Sequence, residues 1–254
     1  MYKNHQLRQV ICQLRYPTIL TISAQEPVEF QEAVRQVFPV YEKRQEQVPP
    51  KVLNVPGQPP RFEPQPPIIN HQFSTADGNY RINLCQDFIS LTCQHYHSWE
   101  EFAHQMDKPL ASFIQIYAPA YFMRIGLRYL NAFSKAELGL DSTPWRKLLN
   151  PAYLGLMASE DMQEQAFNRC VQDVDVAIPG GCNLKLHVGP GRIKHGKDES
   201  DQEIKMILDM DVSMSGNVPV NLSAASMQTV HMQADSIFRD AVTDTLHEAM
   251  EPEE

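Results

Sequence analysis

Tyr121-Phe122-Met123-Arg124-Ile125-Gly126-Leu127-Arg128-Tyr129-Leu130-Asn131-Ala132-Phe133 reads as one long, central strand. Strict alternation puts Phe122, Arg124, Gly126, Arg128 and Leu130 on one side and Met123, Ile125, Leu127, Tyr129 and Asn131 on the other. Two guanidinium groups flanking a glycine are unusual on such a strand. The glycine removes a side chain between them and leaves room for a groove in which a carboxylate, a phosphate or backbone carbonyls could be gripped. The competing reading is internal pairing with an acid from a covering helix, Glu100 or Glu101.

Upstream, three antiparallel strands are expected at Ile68–Ser74, around Tyr80, Ile82 and Leu84, and at Phe88–Cys93, with Asp77-Gly78 making the first turn. Ser98 and Glu101 form a capping box for a helix carrying Trp99, Phe102, Met106, Leu110 and Phe113 inward, with Pro109 kinking or dividing it. Nearer the start, Val10–Tyr16 predicts a strand that Pro17 interrupts and Ile19–Ile22 extends. If this strand pairs with the central one, Arg15 joins the arginine network. Val28 to Phe38 has helical spacing and is closed by Pro39. Between 45 and 67 eight prolines predict an extended, polyproline-like connector, whose isolated Phe62 is expected to pin it to the body, the alternative being that it is offered to a partner.

Downstream, short helical pieces around Trp145–Leu156 lead to strands at Gln165–Ile178, Asn183–Val188 and Ile204–Val212, with a polar hairpin tip from Gly189 to Asp201. Met227, Val230, Ala234, Ile237 and Ala241 continue at intervals of three and four to Leu246, which predicts one long terminal helix. The fold class is therefore α+β, mostly antiparallel sheets with packed helices. Strands followed by a helix suggest two structurally similar halves, 1–140 (with the connector at 45–67) and 141–254, although their residues are too dissimilar to claim a duplication.

Composition narrows function. The net charge of −9 disfavours a nucleic-acid or anionic-membrane binder. With 254 residues and 43 % hydrophobic content the chain can bury a sizeable core, yet no apolar run is long enough to span a membrane. The five cysteines are irregularly spaced and form no C-x-x-C. Together with the lack of a secretory leader pattern, this gives the expectation of a cytoplasmic protein with reduced thiols.

Chemistry-bearing constellations are sparse. Gly189-Pro190-Gly191 through Lys197 lacks phosphate-loop spacing, and no nucleophile motif or cofactor fingerprint occurs, so no cofactor is expected. His95 and His97 share a side near Cys93 but suit a packed strand–helix junction better than a zinc site. Asp240, Asp244 and His247 follow one another at helical steps and could hold a divalent ion or simply form a wet face. His231 and Asp235 read as an ordinary i,i+4 pair.

Val10–Pro17, Trp99-Glu100-Glu101-Phe102, Arg124–Asn131 and the Ile237–His247 ending resemble the signature stretches of an uncharacterised family distributed sporadically in bacteria and archaea. The resemblance covers nearly the whole chain, and R-I-G-L-R-Y-x-N is its most specific part. It brings no activity, cofactor or catalytic residue with it. Its patchy distribution implies a mobile-element or phage-related role.

The leading expectation is a non-catalytic binding or accessory protein that engages a protein partner through Arg15, Arg124, Gly126 and Arg128 or through a sheet edge. A metal-assisted hydrolase using Asp240, Asp244 and His247 is the alternative. A nucleic-acid accessory factor would need a local patch from Arg192, Lys194, Lys197 and Lys205. Homodimerisation is expected from the general prevalence of paired assemblies.

Overall fold

The structure is a computed structural model that describes residues 2–53, 60–65, 67–195, 199–200 and 203–253. In chain order its elements are β1 (Leu7–Arg15), α1 (Leu20–Ala24), α2 (Val28–Val34), β2 (Val40–Glu46), β3 (Lys51–Leu53), β4 (Arg61–Glu63), β5 (Ile68–Ser74), β6 (Tyr80–Cys85), β7 (Phe88–Cys93), α3 (Trp99–Tyr117) and β8 (Phe122–Phe133). The second half adds α4 (Trp145–Leu148), β9 (Gln172–Ile178), β10 (Cys182–Gly191), β11 (Lys194–His195), β12 (Glu199–Ser200), β13 (Lys205–Val218), α5 (Ser223–Ala241) and α6 (Asp244–Ala249).

Nine of these strands form one sheet in the order β2-β5-β6-β7-β1-β8-β13-β10-β9. Every pairing within it is antiparallel. The fold is thus α+β, as the strand and helix patterns predict. β8 occupies the centre, bonded to β1 on one side and β13 on the other. A boundary at 140/141 therefore does not divide the sheet.

One face of the sheet is apolar and carries the helices. Val10, Cys12 and Leu14 of β1, Ile125 and Leu127 of β8, and Leu208, Met210 and Val212 of β13 are buried there. α3 presses Phe102, Met106, Leu110 and Phe113 onto it, and α5 presses Met227, Val230 and Ala234. Pro109 neither divides α3 nor leaves the core; the helix runs through it and buries it. Ser98 caps α3 by accepting from the Glu101 amide at 3.1 Å, but the return half of the box is absent because the Glu101 carboxylate takes the Tyr80 hydroxyl instead, at 2.8 Å. Phe122, placed by alternation beside the arginines, lies on the helix side against Phe113, where a register shift in the β13–β8 ladder interrupts the two-residue period.

Four further expectations are corrected. Ile19–Ile22 does not extend β1, because β1 runs out of partner at Arg15, paired with Phe88 and Arg124. The segment turns into α1, buries Ile22 and gives its carbonyl to His71 at 2.8 Å. The connector at 45–67 is not wholly extended coil: β2 reaches Glu46, and β3 pairs with β4 as triplets that its prolines flank. Phe62 is 67 % exposed and pins nothing. The terminal helix is two, since Val242 leaves helical geometry and bridges to Leu149 before Thr243 caps α6. The parts of the connector at 54–59 and 66, and of the tip at 196–198 and 201–202, lie outside the described residues.

Candidate functional site

The face opposite the helices is polar and built in rows. Gln72, Asn83, Ser90, Gln13, Gly126, Ser213 and Asn183 are successive register partners across seven strands. Their side chains bond one another where they meet: Gln72 and Asn70 both donate to Asn83 Oδ1, at 3.0 and 3.2 Å, and Asn83 donates to Ser90 at 3.2 Å.

Arg124 and Arg128 stand on either side of this row, and neither guanidinium is free. Arg124 lies down over Gly126 to place Nη2 at 2.6 and 2.7 Å from the two Asp211 oxygens. Arg128 takes Asp209 side-on through Nε and Nη2 at 2.7 and 2.5 Å. The predicted alternative of internal pairing is realised, but the acids come from β13 and not from Glu100 or Glu101 of α3. Arg15 does pair with Arg124 in register, yet its guanidinium turns away to Asp87 at 2.7 Å. Beyond Asp211 the same face continues with Lys185–Asp175 and His187–Asp173 pairs, at 3.5 and 2.6 Å. A shallow depression of about 390 Å³ lies over this ionic lattice.

Gly126 has a clear structural reason. A Cβ built there would come within 2.6 Å of Arg124 Cζ and 2.8 Å of its Nη2. Gly126→Ala is therefore expected to push Arg124 off Asp211 and cost about 1 kcal/mol, the value of one well-formed, partly exposed ion pair. In an Arg124→Ala background the same change should cost nothing or stabilise slightly, because alanine restricts the unfolded chain more than glycine does. Urea unfolding of the four proteins in this double-mutant cycle checks the coupling; strict additivity would refute the geometry.

The larger concavity lies on the helix side. There the N-terminal end of α3 meets the C-terminal half of α5 over β8 and β13, and the two ends of the chain close the side: Tyr2 bridges to Pro252, with Lys3 and Asn4 amides donating to the Glu251 and Met250 carbonyls at 2.9 and 3.0 Å. The cleft, open to solvent along one side, has a volume of about 790 Å³. Trp99 stacks on His231 at 4.3 Å between centroids and 8° between planes, and donates Nε1–H to Gln228 at 2.5 Å. His231 Nδ1 is 2.9 Å from the Tyr129 hydroxyl, and His247 Nδ1 is 2.8 Å from the Tyr2 hydroxyl. Burial pushes His231 below the ordinary histidine range, against the opposing pull of Asp235 and Glu100. Burial likewise holds Tyr129 well above the usual phenol value and raises Tyr96 to about 12. At neutral pH a neutral imidazole and a neutral phenol therefore share the hydrogen bond.

His231 is thus not the partner of Asp235, which instead holds Arg239 at 2.9 Å. Asp240, Asp244 and His247 are not brought together either. Asp240 accepts from the Tyr153 hydroxyl at 2.9 Å at the end of α5, whereas Asp244 and His247, past the break at Val242, line the cleft, where His247 faces Tyr2. Among the described residues no three histidine, cysteine or acidic side chains are grouped as metal ligands would be. Lys205 does not join a surface patch with Arg192: it is 5 % exposed and pairs with Glu137 at 3.0 Å, while Lys197 lies outside the described residues. The five thiols are free. Burial raises Cys12 and Cys85 to about 12, which leaves them protonated and poorly nucleophilic.

Pattern reading missed the cleft because its members, at positions 2, 99, 129, 231 and 247, share no local spacing. One signal was present. Tyr129 and Asn131 interrupt the row of β8 that faces the helices, between Leu127 and Phe133, and two polar-tipped residues on such a face mark a place where it is not dry.

No protein-family model matches this chain, and no curated protein sequence matches it. No helix among the described residues is long and apolar enough to cross a membrane.

Proposed function

We propose that the chain is a non-catalytic binding protein that engages a protein partner, and that it receives a segment of that partner in the cleft between α3 and α5. The observation that carries this reading is the convergence of rings and titratable groups from both long helices, the sheet and both chain ends on one concavity of about 790 Å³. That is the size of pocket that takes a compact ligand. Pairing of Arg124 and Arg128 with Asp211 and Asp209 moves the emphasis away from the arginine strand. Edge pairing is weakened in turn: β2 and β9 are exposed edges, but Glu42, Lys43, Arg44 and Glu46 guard the first and Asp173 and Asp175 the second. A setting in mobile-element or phage biology rests on the sequence resemblance alone.

The two tryptophans make the cleft easy to watch. Trp145 is 7 % exposed and lies under Lys135 outside the cleft. In a Trp145→Phe variant, Trp99 reports alone. A panel of capped amino acids and short peptides of varied charge should contain members that shift Trp99 emission saturably and lose that effect in His231→Ala. A panel that leaves Trp99 unmoved at millimolar concentration would end this reading.

A further inference from the structure

We infer that the group received in the cleft is a cationic hydrogen-bond donor, an ammonium or a guanidinium; this rests on the cleft being the binding site. Its walls carry four carboxylates, Glu100, Asp235, Asp244 and Glu253, against one guanidinium, Arg239. That guanidinium is already held by Asp235 at 2.9 Å, whereas Glu100 has no ion-pair partner among the described residues. An anion entering here would meet the excess negative charge of exposed carboxylates, a repulsion that added salt screens. A cation would gain carboxylate partners, and it would do so beside the rings of Tyr2, Tyr96 and Phe238, whose faces attract positive charge.

The floor supplies a separate argument. Asn131 is 4 % exposed and donates its amide to the Leu208 carbonyl at 3.4 Å. Its Oδ1 accepts no hydrogen bond among the described residues. Asn131 lines the cleft, so this oxygen is an acceptor open to a donating ligand. Ammonium and guanidinium groups are donors only, so they match an acceptor floor and an acidic rim together. Either source fits the volume: a free amine, or the lysine or arginine side chain of a partner with its flanking backbone.

The test uses the full chain with Trp145→Phe. Four probes are titrated by Trp99 emission and by calorimetry: agmatine, capped arginine amide, capped lysine amide, and capped citrulline amide as the neutral isostere of arginine. The cationic probes are expected to bind at least 10-fold more tightly than citrulline and to weaken with added salt. Glu100→Gln and Asn131→Ala should each lower cation affinity about 5-fold or more while the circular dichroism spectrum stays unchanged. Agmatine binding as tightly as capped arginine would support a free amine as the source. Tighter binding of the capped residues would support a partner side chain. Citrulline binding equal to arginine would overturn the cationic assignment. So would silence from every cation while neutral members of the peptide panel still move Trp99, an outcome that leaves the cleft itself standing as a site. Silence from both sets would remove the site and the inference together.

Discussion

Phe113→Ala is expected to destabilise the protein by about 3–5 kcal/mol, the cost of deleting a fully buried phenylalanine and leaving a cavity that rigid neighbours cannot close. Phe113 is 0 % exposed. Its ring stands 4.6 Å from Tyr16, 5.4 Å from Tyr117 and 6.5 Å from Phe122 between centroids, so it joins the end of β1, the start of β8 and α3 in one contact. None of these neighbours can collapse into the gap. Tyr16 is tied by its hydroxyl to the Cys85 carbonyl at 2.6 Å, and Phe122 is fixed by the β8–β13 ladder. Since whole domains are stable by only about 5–15 kcal/mol, the variant should lose a large fraction of its margin. Guanidinium unfolding should show a lower midpoint with an unchanged slope. Phe62→Ala is the control: at 67 % exposure it should move stability by less than about 0.5 kcal/mol. A Phe113→Ala protein within 1 kcal/mol of wild type would mean that α3 is not seated on the sheet as described.

What could be read from the residues, and what could not, follows from where periodicity operates. β6, β7 and β8 alternate because each packs one face on the helices, and their facing emerges almost unaltered. α3 and α5 show the 3.6-residue stripe for the same reason. β2 could not be read: an edge strand with no buried residue has no pattern to show, and Val40-Tyr41-Glu42-Lys43-Arg44-Gln45-Glu46 looks like a charged loop. α1 was hidden by β-favouring isoleucine and threonine, whose preference yields when no strand is left to pair with. The arginine strand was legible as a site of interaction, but register alone decided that Asp209 and Asp211 would be its partners, and register between distant strands is not written locally. The cleft lay further out of reach. Its groups meet only after the nine-stranded sheet has formed and both long helices have docked.

One buried and one half-buried histidine should govern stability just below neutral pH. His71 is 0 % exposed, with Nε2 2.8 Å from the Ile22 carbonyl and Nδ1 3.0 Å from the Tyr41 hydroxyl, which in turn bonds Glu26. Burial lowers its pKa from the ordinary 6.5, more than the hydrogen bond to Ile22 and the charge of Glu26 restore. His231 is lowered by burial in the same way. A depressed folded-state pKa means that, as pH falls through about 6.5, the unfolded chain takes up protons that the native protein still refuses. Stability therefore rises with pH across this window, is complete above it, and is lost downward until the folded-state pKa values are passed. Each histidine can contribute at most about 1.4 kcal/mol per pH unit, so the pair sets a ceiling of about 2.7. Carboxylates held below their ordinary values, Glu26 by the Lys43 and Tyr41 hydrogen bonds and Asp77 by Thr75, act in a separate window below about 4.5. Unfolding free energies measured from pH 8 down to pH 5 should fall steeply for wild type and much less for a His71→Gln/His231→Gln double variant, even though that variant starts lower at pH 8 through lost packing and hydrogen bonds. Equal slopes for the two proteins would show that these imidazoles are charged within the native fold, and the neutral His231–Tyr129 hydrogen bond in the cleft wall would fall with them.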